Sequence, residues 1–363
     1  MKRKILLLIT DLEIGGTPTV VRELAIRLRE PERVEVEVGC LGQWGPVADQ
    51  LREAGVFVKA LGAKTQKDLG VIPDLIELIR HRGYDTVFSF LIHANAAAAA
   101  AWWKIRGVRF IQSIQTTQPR PRWHWMLQRI VKRAAELVVV PSESVAKVAR
   151  VRAGVPESKI VVIRNAVEMP SVQMDRKPDP ERFRVGFLGR LDPIKRVKDL
   201  VRAVGLLDQK FTLDIYGDGE DRSRIEAEID LLRMHKRVTL HGRTSEPWSA
   251  LSNMDLLVLP SEAEGMPLVP IEAMAARVPV VATDAPGIRD VVQHQQTGLL
   301  YQVGDIHDLA QIIRQMSINQ PLRDRLVANG YQDVHKRFAW DAVLKQYRRV
   351  LKIAESGTTD EHR

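Results

Sequence analysis

The 363-residue chain has a single cysteine, Cys40. One thiol cannot build a disulfide framework, and such sparing use points to a reducing compartment. Long apolar runs are missing as well. The longest stretch without a charged side chain takes in Val87–Trp103 but holds His93, Asn95 and many alanines. It is too short and too weakly apolar to cross a bilayer. The run ILLLI after Met1-Lys-Arg-Lys4 is soon followed by Asp11 and Glu13, so it reads as a buried first strand, not a signal peptide. Neither Gly-x-Gly-x-x-Gly nor Gly-x4-Gly-Lys-Ser/Thr occurs, which removes the fingerprints of a nicotinamide dinucleotide fold and of a P-loop ATPase. There is no Asp-x-Asp, so nothing calls for a divalent metal bridging two phosphates. Low-complexity segments and short repeats are also missing.

What is present is α/β alternation. Apolar strand-like runs fall at Lys4–Thr10, Val34–Leu41, Val56–Leu61, Thr86–Phe90, Val108–Ser113 and Leu137–Pro141. A second series follows at Phe183–Gly189, Phe211–Gly217, Val238–His241, Asp255–Pro260, Val278–Ala282 and Gly298–Tyr301. Between the series lies Met169–Glu181, rich in proline and charge, which reads as a linker. The length favours two domains. The alternation argues for two doubly wound parallel sheets, each taking ligands at the carboxyl ends of its strands. The expected division is 1–168, 169–340, and a terminal helix with a polar, frayed tail over 341–363.

The charge is uneven. The net charge is +9. Residues 1–168 hold 26 basic and 17 acidic side chains, whereas the remainder holds 28 of each. The first half is therefore the one expected to meet an anionic partner or surface.

Several motifs stand where parallel strands end. The first strand runs into Gly15-Gly16, a pair that allows either a tight turn or close approach of backbone to a ligand; a helix is expected over Val20–Leu28. The strand Thr86–Phe90 runs into His93, which suits a structural histidine and a ligand group equally. In the second half, Gly189-Arg190 and Lys195 follow a strand, and two such cations can neutralise a diphosphate. The stretch PSEAEGMPLVPIEAMA, Pro260–Ala275, follows another strand. It offers Glu264, a turn at Gly265, Pro267 at an expected helix start, and Glu272 eight residues beyond the first carboxylate. Helical rise would separate the two carboxylates by about 12 Å. A helix N-terminus between them favours a phosphate.

This Glu264-x7-Glu272 stretch resembles the signature of family 4 retaining glycosyltransferases. Gly-Arg-Leu…Lys at 189–195 is similar to another of that family's motifs, and the segments around Gly217, Gly242-Arg243 and Thr283–Gly287 are similar to others. The resemblance covers most of residues 1–350. It implies the GT-B fold, two Rossmann-like domains whose parallel sheets face each other across a cleft, with the closing helix packing back toward the first domain. It implies transfer of a hexosyl unit from a nucleoside diphosphate sugar with retention, on the cytoplasmic side, to a glycan or lipid-linked acceptor of the cell envelope. Arg190, Lys195 and the amides near Met266, Leu268 and Val269 would stabilise the departing diphosphate. Glu272 would hold the ribose, and Glu264 and His93 the transferred sugar. Gly15, Gly16, Gly189, Gly217 and Arg243 would line the donor. No metal or other cofactor is expected. Pro18 and Pro286 depart from the family's usual residues.

Two rivals remain at this stage. An NDP-sugar 2-epimerase shares the architecture, but no second set of carboxylates for proton abstraction is visible. A basic nucleic-acid-binding protein would account for the charge but not for the phosphate and sugar motifs of the neutral half, so no nucleic acid is expected as a partner. One further stretch stands apart. Trp102–Arg133 carries eight basic residues and no acidic one. Helical spacing over Pro121–Ala135 puts Trp123, Met126, Leu127, Ile130, Val131 and Ala134 on one face, expected to be buried. Arg122, Trp125, Arg129, Lys132 and Arg133 fall on the other, which suits either plain solvent or an anionic membrane surface bound peripherally.

Overall fold

The computed structural model describes residues 2–65, 68, 70–170, 179 and 181–354. Most of the expected linker, and the expected polar tail from Glu355, lie outside the described residues. Two compact units emerge, one from Met1–Asn165 with Trp340–Arg363, the other from Ala166–Ala339.

The first unit contains β1 (Arg3–Ile9), α1 (Gly16–Arg27), β2 (Val34–Cys40), α2 (Pro46–Glu53), β3 (Val58–Ala60), α3 (Val71–Arg82), β4 (Thr86–Phe90), α4 (Ile92–Trp102), β5 (Arg109–Ser113), α5 (Arg122–Val131), β6 (Leu137–Val140), α6 (Glu143–Val151) and β7 (Ile160–Val162). The second contains β8 (Phe183–Leu188), α7 (Val197–Gly205), β9 (Phe211–Tyr216), α8 (Arg222–Leu231), β10 (Val238–Gly242), α9 (Pro247–Ser252), β11 (Leu256–Leu259), α10 (Leu268–Ala275), β12 (Val280–Thr283), β13 (Leu299–Tyr301), α11 (Ile306–Ile318) and α12 (Gln320–Arg337). The chain then returns to the first unit through α13 (Trp340–Val350).

Both sheets are parallel. Their orders are β3-β2-β1-β4-β5-β6-β7 and β10-β9-β8-β11-β12-β13. Strands buried on both faces read as near-continuous apolar runs, and Ile5–Ile9 are wholly buried. Strand order reverses between β1 and β4 in the first sheet and between β8 and β11 in the second. At such a reversal the connections leave in opposite directions and open a crevice at the carboxyl ends.

The boundaries differ from the expected ones in small ways. The first unit ends at Asn165, and the chain's entry to and exit from the second unit are tied by the Val167–Ala339 bridge. The terminal helix groups with the first unit, the side to which the family resemblance assigns it. Tyr347 is buried beside Phe88, ring centroids 6.2 Å apart, and Arg348 Nη1 stands 2.6 Å from Glu30 Oε1. Helix α1 starts at Gly16, a turn earlier than the apolar period indicated, with Thr19 N–H bonded to the Gly15 carbonyl at 3.0 Å. β7, an edge strand of three half-buried residues, was not among the expected strands. Cys40 is buried in β2, and desolvation pushes its thiol up to about 11, so it stays an inert neutral group.

Helix α5 is rotated from the expected orientation: Val131 and Ala134 are buried and Arg122, Arg129 and Arg133 exposed as expected, but Trp125 changes places with Trp123, Met126 and Ile130. Trp125 is buried and donates its indole N–H to the Gln118 carbonyl at 3.0 Å. Gln128 and Val131 are buried with it, whereas Trp123, Met126 and Ile130 are exposed. The cause is a chain of buried amides. Ser89 Oγ donates to Asn95 Oδ1 at 2.7 Å, Asn95 Nδ2 donates to Gln128 Oε1 at 3.1 Å, and Gln128 Nε2 donates to Gln112 Oε1 at 2.9 Å. Gln112 Nε2 closes the network on the Val131 carbonyl at 2.8 Å. Once satisfied, such a network specifies one packing strongly, and it turns Gln128 inward. Lys132 bonds the Gly154 carbonyl, and Arg129 Nε donates to the Arg152 carbonyl at 2.7 Å.

Candidate active site

In the second unit the loops after β8 and β11 flank the reversal of strand order. The β8 loop carries Gly189, Arg190 and Lys195; the β11 loop carries Glu264 and leads to α10. The two loops are joined by backbone, with Glu262 N–H donating to the Ile194 carbonyl at 2.9 Å. They are joined more tightly by charge, because Lys195 Nζ stands 2.6 Å from Glu264 Oε1. Their side chains are only 18% and 12% exposed. Two site residues picked from separate motifs, 69 positions apart, thus form one ion pair at the switch point.

Arg190 is different. Its side chain is 67% exposed and its Nη2 lies 2.8 Å from Asp192 Oδ2. An exposed pair of this kind is worth only about 0–1 kcal/mol, so the guanidinium can exchange Asp192 for a phosphate at little cost. Arg243, after β10, faces Asp218 at 3.9 Å and is 61% exposed. Sequence reasoning missed Asp192 and Asp218; their nearness to the chosen cations in sequence was the available signal.

The neighbouring strand ends are packed backbone to backbone. A Cβ at Gly217 would overlap the carbonyl oxygen of Gly189. The Gly189 N–H donates to the Tyr216 carbonyl at 3.0 Å, and the Gly217 N–H to the Gly242 carbonyl at 2.7 Å. After β12, Gly287 has φ +82°, and its Cα lies against the Glu264 and Gly265 carbonyls. The Glu264 N–H donates to the Pro286 carbonyl at 3.3 Å.

Helix α10 begins at Leu268, with Pro267 in extended conformation (φ −69°, ψ 132°) as the residue before it. The expected start at Pro267 is therefore one residue early. The steps from Glu264 to Pro267 are loop, so the 12 Å estimate from helical rise holds only for the helical part. In the first turn Leu268 and Val269 carry N–H groups and Pro270 does not; these first amides of a helix have no intrahelical partner. Met266 is buried, and Glu272 is half-buried one turn into the helix. Ser261 Oγ, at the end of β11, is buried with no hydrogen-bond partner among the described residues.

In the first unit Gly15-Gly16 and His93 flank the other reversal, after β1 and β4. Gly15 caps α1 in extended conformation. Leu91, before His93, has φ 73° and ψ 159°. That region is nearly glycine-only and costs of order 1–3 kcal/mol for other residues. The strained turn presents His93 at the start of α4, where its ring lies 5.8 Å from Trp123 and 5.7 Å from His124. Burial, and then the His93 charge, hold the His124 imidazole below its ordinary value.

Among the described residues no cluster of three or more His, Cys, Asp or Glu is placed to hold a metal ion. None of their helices is long and apolar enough to cross a membrane.

Two family models cover most of the chain in tandem. Residues 14–169 match Glycosyltransferase Family 4, and residues 173–333 match Glycosyl transferases group 1. The chain belongs to the family 4-like GT-B glycosyltransferases. The solved structure of Anabaena Alr3699/HepE in complex with UDP and glucose superposes with a TM-score of 0.86 at 21% identity, covering 97% of this chain and 100% of that one. Among curated relatives, the capsular polysaccharide biosynthesis glycosyltransferase CapM of Staphylococcus aureus is 26% identical over 251 residues, 64% of this chain and 66% of the relative. The lipopolysaccharide core biosynthesis glycosyltransferase LpsD of Rhizobium meliloti is 30% identical over 178 residues, 49% of this chain and 52% of the relative. The chain matches less than two thirds of the length of these relatives.

Proposed function

We propose that this chain is a retaining hexosyltransferase of cell-envelope polysaccharide or glycolipid synthesis, taking a nucleoside diphosphate sugar as donor and a glycan or lipid-linked acceptor. The observation that carries the reading is the Lys195–Glu264 pair at the switch point of the second unit, beside Arg190 and the N-terminus of α10. When the bond from sugar to diphosphate breaks, negative charge grows on the β-phosphate. Preorganised donors aimed at that charge act strongly in a water-poor site. Lys195 is such a donor, fixed in direction by Glu264. Arg190 is the mobile, bidentate one. The Leu268 and Val269 amides add the dipole of α10. Glu264 can at once hold Lys195 and accept hydrogen bonds from the sugar hydroxyls, and Glu272 can accept a vicinal pair from ribose. In the first unit His93 stands at the place where that unit would take a ligand. No side chain stands out as a nucleophile, which favours front-face displacement with the departing phosphate helping to deprotonate the acceptor. The cations and amides then do the work of a metal. Solved complexes of the Anabaena protein with UDP and with UDP-glucose agree with this choice of donor class. The epimerase and nucleic-acid readings are not favoured by the family match.

The test is thermal stability with UDP-, GDP- and ADP-sugars in EDTA. A specific donor at 100 times its Kd should stabilise by about 2.7 kcal/mol. No shift with any of them, or a shift that needs Mg²⁺ or Mn²⁺, would overturn the donor site as drawn.

The two carboxylates should also separate. Glu272→Ala is expected to weaken binding of the bare nucleoside diphosphate by roughly 10- to 100-fold, the worth of one or two hydrogen bonds to a charged group. Glu264→Ala should cut transfer while changing that affinity by less than about threefold, because Arg190, Lys195 and the helix amides remain. Calorimetry with the bare nucleotide distinguishes them, and equal losses would refute the division.

A further inference from the structure

The inward turn of Trp125 and Gln128 leaves the opposite face of α5 outside. Arg122, Trp123, Met126, Arg129, Ile130 and Arg133 recur at helical spacing and fill an arc of about 120°. Met126 is 67% exposed, Ile130 63% and Trp123 41%. The last three-residue turn, Lys132–Ala134, continues the helix and carries Arg133 on the same arc. Among the described residues Arg122, Arg129 and Arg133 have no acidic partner, and the chain from Trp102 to Arg133 contains no Asp or Glu.

Large apolar side chains on a face the core does not use, interleaved with guanidinium groups, make a surface with two requirements. It needs apolar depth for Met126, Ile130 and Trp123, and anionic charge at the level of the arginines. A second copy of this chain meets the first requirement but sets arginines against arginines. The interface of an anionic bilayer meets both, because the apolar side chains enter the acyl boundary while the guanidiniums reach headgroup phosphates. Tryptophan is favoured at that depth. Each basic residue near an anionic surface raises partitioning roughly fivefold, so three arginines give on the order of 10²-fold.

We infer that the first unit docks peripherally on an anionic bilayer through this face of α5. The residues differ from those the helical pattern alone suggested: Trp125 and Lys132 face away, and Met126, Ile130 and Trp123 take their place. Trp123 also links the face to the switch point of its unit, since its ring lies 5.8 Å from that of His93. Resting on the proposed glycosyl transfer, a docked enzyme would hold His93 within one side chain of the bilayer, which suits an acceptor whose sugar is carried on a membrane lipid.

The experiment is co-sedimentation with vesicles of phosphatidylglycerol and phosphatidylcholine, or of phosphatidylcholine alone, at low and high salt. The full chain should bind the anionic vesicles at low salt and be released at least tenfold by high salt. Met126→Asp with Ile130→Asp, and separately Arg122→Glu with Arg133→Glu, should each lower binding at least tenfold. All four positions are exposed, so the melting temperature should hold. Failure of the unaltered chain to bind anionic vesicles at low salt would overturn the inference, as would undiminished binding by either variant. Self-association that depends on Met126 and Ile130, without vesicle binding, would also overturn it and assign the face to a second copy. The donor-induced thermal shift of the same samples reads donor binding and not docking, so loss of docking with the shift intact leaves the glycosyltransferase reading untouched.

Discussion

Arg190→Ala or Lys195→Ala is expected to lower kcat/KM for glycosyl transfer by on the order of 10²-fold or more, the usual consequence of removing one preorganised donor from developing charge. The two losses should differ in kind. Arg190 is mostly exposed and, among the described residues, paired with Asp192 at 2.8 Å, so its loss should leave the fold untouched and fall on catalysis. Arg190→Lys restores the charge but not the two-pronged contact, and should recover only part of the rate. Lys195 is largely buried against Glu264, so Lys195→Ala also removes the cation that balances a partly buried carboxylate. Residues acting as one unit are not additive. The Lys195→Ala, Glu264→Ala double variant should therefore be impaired by clearly less than the product of the single losses. Steady-state kinetics on the four proteins measures this. Near-normal turnover in both single variants would remove the diphosphate clamp, and strict additivity would remove the pairing from its mechanism.

Gly287→Ala should be strongly damaging to the second unit. The backbone there has φ +82°, and an added Cβ would overlap the Glu264 carbonyl oxygen and stand 2.6 Å from that of Gly265. The conformation costs a non-glycine residue about 1–2 kcal/mol, and forcing a methyl into packed backbone adds about 1–3 kcal/mol. A total loss of about 2–5 kcal/mol follows, together with displacement of the loop that carries Glu264. Gly83→Ala is the control. It has φ +66° with nothing within 4 Å of the added Cβ, so it bears only the conformational cost. Denaturant unfolding should rank the two clearly apart, and donor affinity should fall in Gly287→Ala alone. Equal destabilisation by both would show that the close approach contributes nothing.

Among the described residues twelve of the thirteen strands were legible, the central ones because parallel strands buried on two faces are continuous apolar runs. β7, three half-buried residues at a sheet edge, was not. The cations and carboxylates of the second unit were legible as motifs placed just after strands, where a doubly wound sheet takes its ligands. Their contacts were not. Nothing in the spacing of Lys195 and Glu264 brings them to 2.6 Å; that depends on β8 and β11 lying side by side in the sheet order. The strand order likewise explains why Gly217 and Gly287 tolerate no side chain, since backbone following the neighbouring strands β8 and β11 lies against them.

Helix α5 marks the limit most clearly. Its apolar period was correct, and so was its length to within a few residues. The inference from period to burial held for Val131 and Ala134 and failed for Trp123, Met126 and Ile130, because an apolar stripe goes inward only when no stronger demand competes. Here Asn95 and Gln112 present buried amide groups that Gln128 completes, and leaving buried amides unpaired carries a cost comparable to what an exposed methionine would gain by burial. The sequence by itself determined the two α/β units, their parallel sheets and the chemical character of the site, because those follow from local apolar period, turn residues and charge. Only the tertiary structure decided which cation meets which carboxylate, and which face of α5 is left to its surroundings. Those outcomes depend on contacts between residues far apart in the chain, where a single buried hydrogen bond can outweigh a whole local pattern.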